Sequence, residues 1–368
     1  MHPQPSLQQN RLLPHCTGVL EINTRAIAQN YRTLSSQLSK GICAAVVKAD
    51  AYGFGMEKVA SVLHQTGCRH FFVSHSEEAL VLRTSLPEAS LYVFSGLLPG
   101  TEEVFVQNNL IPVLNDFGMV ERWSQTAQKQ NKKLPCVLHI DTGMRRNGFD
   151  SQDVAKLFAS FDILAPLDVK IVMSHLVSSH EKENPLNEAQ KKEFEAFRTQ
   201  FPHAKASLAD TGGIYLDPAF HYDIARPGKG LFGLYPSPSL VPCLKVLGRI
   251  LQIRTAYKGE SVGYGATHTL TRDSKLATLG IGFADGYDRR LSQGYAEIQG
   301  FKAPVVGRIS MDYTVIDVTD IPEEVCYASG WADLVNERLT LDALAHQIGT
   351  ISRELSTGFG QRLLRVYC

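Results

Sequence analysis

Over the first two thirds of the chain, short apolar runs alternate with segments of helix length that are apolar on one side. A run at 19–22 comes first. Ile27, Tyr31, Leu34 and Leu38 then recur at helical spacing behind a cap at Asn23 or Thr24. Eight candidate strands follow, at 42–47, 70–74, 91–95, 111–114, 136–141, 168–174, 205–209 and 223–226. Most gaps between them carry a helical pattern, as at 187–200. Eight βα units in a row predict an α/β fold, a closed (β/α)8 TIM-type barrel. The pattern changes at 236–242 (PSPSLVP), which has linker chemistry. Beyond it, 245–256, 276–283, 303–307 and 313–318 read as strands broken by Gly and Asp, and only 339–348 reads as a helix. The predicted organisation is a barrel over residues 1–240, with a loose polar leader at its start, followed by a mostly β domain over 241–368.

Composition narrows the function classes. A chain of 368 residues exceeds the size at which single cores stop growing, which agrees with two domains. Lys plus Arg equals Asp plus Glu, 37 of each, so no basic surplus argues for nucleic acid or an anionic membrane. No apolar run approaches the roughly 20 residues that cross a bilayer. The leader has one Arg and a Leu-Leu pair, and so lacks a signal-peptide core. The seven cysteines are odd in number and contain no C-x-x-C pair. Free thiols in a reducing compartment fit this better than disulfides or zinc, so a cytoplasmic protein without a metal site is expected.

The candidate chemistry begins at 46–55, VVKADAYGFG. Lys48 ends the first barrel strand, on the side where active sites of that fold gather, although a solvated strand-end lysine has the same pattern. Tyr52, followed by Gly53 and Gly55, lies on a turn that can return a phenol to the same point. The seventh strand ends in Ala209-Asp210-Thr211-Gly212-Gly213 and the eighth in Arg226-Pro227-Gly228-Lys229-Gly230. Barrels commonly bind phosphate with these two loops. The Thr211 hydroxyl and bare amides near Gly212, Gly228 and Lys229 suit a phosphate monoester; ordinary turns are the competing reading. Phosphate loops opposite a lysine suggest a phosphorylated aldehyde tethered to it.

From about residue 17 to its end, the chain resembles the alanine racemase family of barrel-type pyridoxal-phosphate enzymes. The matching segments, in order, are VVKADAYGFG (46–55), HIDTGMRRNGF (139–149), MSHLVSS (173–179), LADTGG (208–213), ARPGKGLFGLYPS (225–237), SVGYGAT (261–267), GIGFADGYDRRLS (280–292) and GRISMD (307–312). The resemblance implies pyridoxal 5′-phosphate as cofactor and racemisation of L- and D-alanine, supplying D-alanine for peptidoglycan precursors. Lys48 matches the Schiff-base lysine and one of two acid/base groups. Tyr52 and Thr211 match phosphate ligands, with the Gly228 and Lys229 amides beside them. Arg226 matches the partner of the pyridine nitrogen, and His175 the residue near the ring. Arg146 matches a residue that steadies the cofactor phenolate, and Met311 and Asp312 line the substrate pocket. Tyr264 matches the second acid/base group, which reaches the site from the other subunit, so a homodimer with shared sites is implied.

These residue types suit the reaction. Racemisation takes a proton from one face of a planar centre and returns one to the other, which two opposed groups do most directly. Lys48 needs a site that disfavours its charge, and Tyr264 needs cationic neighbours such as Arg226 or Arg289. Arg226 cannot surrender its proton, so it leaves the ring nitrogen neutral and the electron sink weak, favouring prompt reprotonation. Arg289 and Arg290 fit either a screen for substrate carboxylates or a solvated face.

Some positions depart from the family pattern. His139 replaces a lysine that is often carbamylated and supports the phenolate-binding arginine as an anion; bound chloride or a neutral acceptor imidazole are the substitutes. Asp210-Thr211 stands for Asn-Ser, Phe283 for a hydroxylated aromatic, and Gln361 for a tyrosine. A serine or broader-specificity racemase, and more distantly a non-enzymatic pyridoxal-phosphate carrier or a decarboxylase, are the competing functions. The YGAT and GRISMD segments disfavour the last two.

Overall fold

Parallel strands that run almost wholly apolar, such as the five buried residues Leu110–Leu114, are stable only with both faces covered. The computed structural model, which describes residues 13–368, wraps such strands into the predicted barrel. The sequence expectation for the leader falls mainly on residues outside the described ones. The first strand of the chain is β1 (Gly18–Ile22). The barrel strands are β2 (Ile42–Cys43) and β3 (Ala45–Val46), one strand interrupted at Ala44, then β4 (His70–Val73), β5 (Ser90–Val93), β6 (Leu110–Leu114), β7 (Leu134–His139), β8 (Leu167–Met173), β9 (Lys205–Ser207) and β10 (Ile224–Ala225). Strands β3 to β9 pair in parallel in chain order, and β10 pairs in parallel with β2. The ring closes at β10: Asp223 N–H donates to Ala206 O, while Ala44 and Val46 N–H donate to Ala225 and Pro227 O. Its interior is filled by residues that include Val46, Phe72, Tyr92, Val113, Val137 and Met173, so it is a packed core and not a pore.

The chain divides into two units, one spanning Ile27–Val241 and the other combining the described residues up to Ala26 with Pro242–Cys368. The barrel therefore does not begin at the N-terminus, as the expected 1–240 span had it. β1 belongs to the second unit, where it pairs antiparallel with β11 (Leu244–Ala256) and parallel with the last strand, Leu364–Tyr367. Between these pairings the helix Thr24–Gln37 leads into the barrel; its start is capped by Asn23, whose Oδ1 accepts from Ala26 N–H at 2.9 Å.

The second unit is mostly β, with corrections to the expected elements. The strand expected at 276–283 spans Ser274–Leu279, because Gly282 packs against the Ser310 and Met311 carbonyls, where a Cβ would lie 2.4 Å from each oxygen. Strands Tyr295–Ile298 and Trp331–Val335 were not expected; the first joins Phe301–Pro304 through a two-residue hairpin with φ +50° at Gln299 and +92° at Gly300. That turn type matches the twist of its strands and requires positive φ at both positions. The expected helix at 339–348 is Leu341–Gln347, but Glu323–Ser329 and Ser352–Gly358 are also helical.

Candidate active site

Lys48 follows β3 by one intervening residue, and the chain after it winds in the left-handed sense. Ala49, Asp50, Ala51 and Tyr52 have φ of +53°, +53°, +54° and +59°, and none is glycine. Left-handed winding costs L-residues about 1–2 kcal/mol each, strain that persists only where surrounding contacts over-determine it. Ala51 N–H donates to Val47 O and Gly53 N–H to Ala49 O, both at 2.9 Å, and the Asp50 carboxylate accepts from Met56 N–H at 2.7 Å. The turn brings Tyr52 against Phe232, with ring centroids 5.2 Å apart, and sets its hydroxyl beside Gly228. A Cβ on Gly228 would lie 2.2 Å from Tyr52 Oη. Lys48 Nζ lies 5.8 Å from the centre of the Phe94 ring.

The loops after β9 and β10 are joined through Thr211. Its buried Oγ1 accepts from Gly228 N–H at 3.2 Å and from Gly230 N–H at 3.1 Å. The Gly228 amide is thus not bare, as the sequence suggested. With both lone pairs engaged, the Thr211 hydroxyl can only donate its proton outward. Two hydroxyls, Tyr52 and Thr211, therefore converge on the Gly228–Gly230 turn, where Gly228 leaves room for Tyr52 and Gly230 for Thr211. This cradle fits the phosphate of a pyridoxal group, and Lys48 lies on the same turn as Tyr52. The Lys229 side chain extends to the Tyr235 ring, 4.7 Å from its centre, so its backbone and not its ammonium faces the Gly228 turn.

Arg226 is buried, and both ends of its guanidinium are held: Nη1 donates to Ser207 Oγ and Nη2 to Ser174 O at 2.6 Å. Ser207 Oγ in turn donates to Ile224 O at 2.5 Å. Burial pushes Arg226 down to about 10, opposed by the Asp210 charge, which leaves it a cation at neutral pH. Close by, burial and the charges of Arg226, Arg146 and Lys48 hold His175 below the usual imidazole range; only Asp210 pulls the other way. Burial would raise Asp210, but His175, the Gly213 N–H and Lys229 together hold it low. Its Oδ1 accepts from Gly213 N–H at 2.9 Å, capping the turn that carries Thr211. The extra carboxylate at 210 is thus a cap and an anion among cations. The sequence flagged it without a role.

His139 is buried at the end of β7, with Nδ1 2.8 Å from Asn115 Oδ1. The Asn115 amide nitrogen donates to Phe94 O and Val113 O, so its oxygen must accept and His139 Nδ1 carries the proton. Burial, reinforced by Arg226 and His175, pushes His139 down to about 3. A neutral imidazole with an acceptor Nε2 stands at this position. Arg146 lies exposed on the loop that follows, which the Asp141 carboxylate shapes by accepting from Gly143 N–H at 2.8 Å and Arg145 N–H at 3.0 Å.

Tyr264, Met311 and Asp312 lie in the other unit. Tyr264 is 71% exposed on a turn where Gly263, Gly265 and Ala266 all have positive φ, and Met311 is 56% exposed. Asp312 pairs with Arg362 at 2.8 Å, and the same guanidinium reaches the buried Asp285 at 3.0 Å. Phe283 and Ala284 N–H donate to Ser310 and Met311 O, tying the two loops together. Arg289 lines a cavity of about 430 Å³ with Phe283, Asp288 and Glu354, whereas Arg290 pairs with Asp288 at the surface. Sequence reasoning missed Ser174, Ser207, Asn115 and Arg362. Each acts by holding another residue, and no motif marks such a role.

The fold and the cradle define a class: a parallel barrel with a lysine and phosphate-type loops at one end, joined to a β-rich unit. Two family models match the chain, the alanine racemase N-terminal domain over residues 22–236 and the alanine racemase C-terminal domain over 243–367. The chain belongs to the alanine racemase family. Similar proteins include the alanine racemase of Rhodospirillum rubrum, 41% identical over 358 residues (95% of this chain, 96% of the relative), and that of Brucella abortus, 36% identical over 369 residues (95% and 93%). Among solved structures, the Bartonella henselae alanine racemase with covalently bound pyridoxal phosphate superposes with a TM-score of 0.91 at 37% identity, covering 96% of this chain and all of that one. The Streptomyces coelicolor alanine racemase gives 0.88 at 27% identity, covering 95% and 98%.

Proposed function

We propose that this chain is an isomerase that interconverts L- and D-alanine with pyridoxal 5′-phosphate carried on Lys48. The observation that carries the reading is the joining of Lys48 and Tyr52 by one left-handed turn to the Gly228–Thr211 cradle. Tyr52 Oη and Thr211 Oγ1 donate to the phosphate beside the Gly228 and Lys229 backbone. When bound, the cofactor supplies an electron sink for the pair left by the departing α-proton. Lys48 Nζ takes or returns a proton on one face, and Tyr264 Oη returns or takes another on the opposite face. Arg226, clamped by Ser207 and Ser174, presents a fixed donor that keeps its own proton at neutral pH. His175, kept neutral by burial, packs near the ring without adding charge. Arg146 steadies the phenolate, with neutral His139 behind it as an acceptor.

Tyr264, Met311 and Asp312 work in trans in this reading: a second copy of the chain places them over the barrel mouth. Their exposure supports it, because a solvated phenol gains nothing toward proton transfer until another surface excludes water. Met311 and Asp312 then border the substrate, and Arg362 fixes the Asp312 carboxylate. Seven cysteines, an odd number with no C-x-x-C pair, accord with a reducing cytoplasm, where D-alanine supplies peptidoglycan precursors.

Borohydride reduction of the holoenzyme followed by peptide mapping tests the anchor. Label on Lys48, and no label in Lys48→Ala, is expected; label on another lysine overturns the reading. Exchange of the α-proton in D₂O, run with alanine and serine, then separates the substrates. The alanine reading requires exchange with alanine to be the faster.

A further inference from the structure

Four consecutive left-handed residues separate Lys48 from Gly53, and most bonds that close this turn come from the turn itself or its immediate neighbours in sequence. One comes from a distant side chain. Glu78 Oε1 accepts from Ala49 N–H at 2.6 Å, the amide next to Lys48. Its other oxygen, Oε2, accepts from Ser74 N–H at 2.7 Å and His75 N–H at 3.2 Å, where β4 gives way to the helix Ser76–Ser85. One carboxylate therefore takes three backbone donors from the ends of two neighbouring barrel strands. A charged acceptor makes such bonds strong, and a carboxylate has lone pairs enough for all three. With the chain held on either side, a negative φ at Ala49 requires a compensating rotation of the Lys48–Ala49 peptide, and that rotation would turn the Ala49 N–H away from Glu78.

Building on the reading of Lys48 as the cofactor-bearing lysine, we propose that Glu78 is a positioning residue for it. Its carboxylate selects the left-handed turn, which sets the direction in which Lys48 leaves its strand and the approach of Tyr52 Oη to Gly228. Glu78 also caps its own helix, and that role alone makes it a stabilising residue. The two roles separate at Ala49. Glycine populates the left-handed region without steric cost. If Glu78 acts by imposing that conformation, Ala49→Gly compensates for its loss; if Glu78 only caps a helix, it does not.

The test is a double-mutant cycle on the holoenzyme with Glu78→Ala, Ala49→Gly and the pair, with Glu78→Gln as the isosteric variant should Glu78→Ala fold poorly. Three quantities are followed: kcat and KM for alanine, the rate at which hydroxylamine releases the cofactor, and Tm. Glu78→Ala and Glu78→Gln are expected to lower kcat about 10–100-fold, with a smaller change in KM, as for a misplacement of about 1 Å. Release by hydroxylamine is expected to quicken. Adding Ala49→Gly restores most of both losses without restoring Tm. Wild-type kcat and release in both Glu78 variants overturns the proposal, as does an equal loss with and without Ala49→Gly. Peptide mapping after borohydride reduction keeps the two readings apart: label absent from Lys48 ends both, while label on Lys48 with an indifferent Glu78 ends only this one.

Discussion

The barrel end and the exposed loops of the β unit contribute residues to the same proposed reaction under opposite physical conditions. At the barrel end, Arg226, His139 and Thr211 are buried, each is held by named partners, and burial displaces the two histidines and the arginine from their ordinary protonation ranges. In the β unit, Tyr264 and Met311 are largely exposed. The difference teaches where each part of the chemistry is prepared. Groups that bind a fixed cofactor can be pre-organised within one chain, at a cost in strain and desolvation met by the surrounding core. In the proposed trans arrangement, groups that act only when a second surface arrives remain solvated until then. Substitutions in the barrel should therefore disturb stability and binding together, and those in the β unit should disturb turnover alone.

The sharpest way to break this comparison is Tyr264→Phe. Racemisation is expected to fall about 10²–10⁴-fold, with α-proton exchange lost selectively from L-alanine. Folding stability is expected to stay within about 0.5 kcal/mol, as for an exposed site. Exchange assays on each enantiomer, set against urea denaturation, would refute the contrast if the variant unfolded early or turned over normally. Next in size is Gly228→Ala. Its Cβ displaces the Tyr52 hydroxyl, and cofactor affinity measured by absorbance titration is expected to fall about 10–100-fold, the equivalent of an overpacking cost of 1–3 kcal/mol. Unchanged affinity would show that Tyr52 does not face the phosphate.

A pH dependence sharpens the electrostatic half. His139 has its folded-state pKa depressed to about 3 from 6.5, so the unfolded chain takes up a proton that the folded barrel refuses. Its contribution is intact above pH 6.5 and is lost as pH falls toward 3, at up to about 1.4 kcal/mol per pH unit. His139→Gln is expected to flatten the stability profile between pH 6 and pH 4 by close to one proton, read from urea titrations at several pH values. No change in slope would mean that the imidazole is solvated when folded.

The barrel was legible because its determinants are local and repeated: eight apolar runs, most of them followed by a helical pattern, admit few other arrangements. The binding loops were legible for a similar reason, since glycines and hydroxyls at strand ends carry their chemistry in their identity. The strand Tyr295–Ile298 was missed although Gln299-Gly300 offers a two-residue turn, because polar residues dilute its alternation. Ser207 and Asn115 were invisible for another reason. A serine that clamps Arg226 and an asparagine that sets the His139 tautomer look like any others until the fold brings distant segments together.

By itself the sequence determined the order of the barrel elements, the family, and the residues whose types carry the chemistry, because these depend on periodicity and on side-chain identity. Only the tertiary structure decided that β1 completes the second unit rather than the barrel, since strand pairing depends on which edges are free after folding. It also decided the left-handed turn after Lys48. Three of the four residues in Ala-Asp-Ala-Tyr disfavour that winding, and beside local bonds to Val47 and Met56 it is held by one to Glu78 that exists only once β3 and β4 lie side by side.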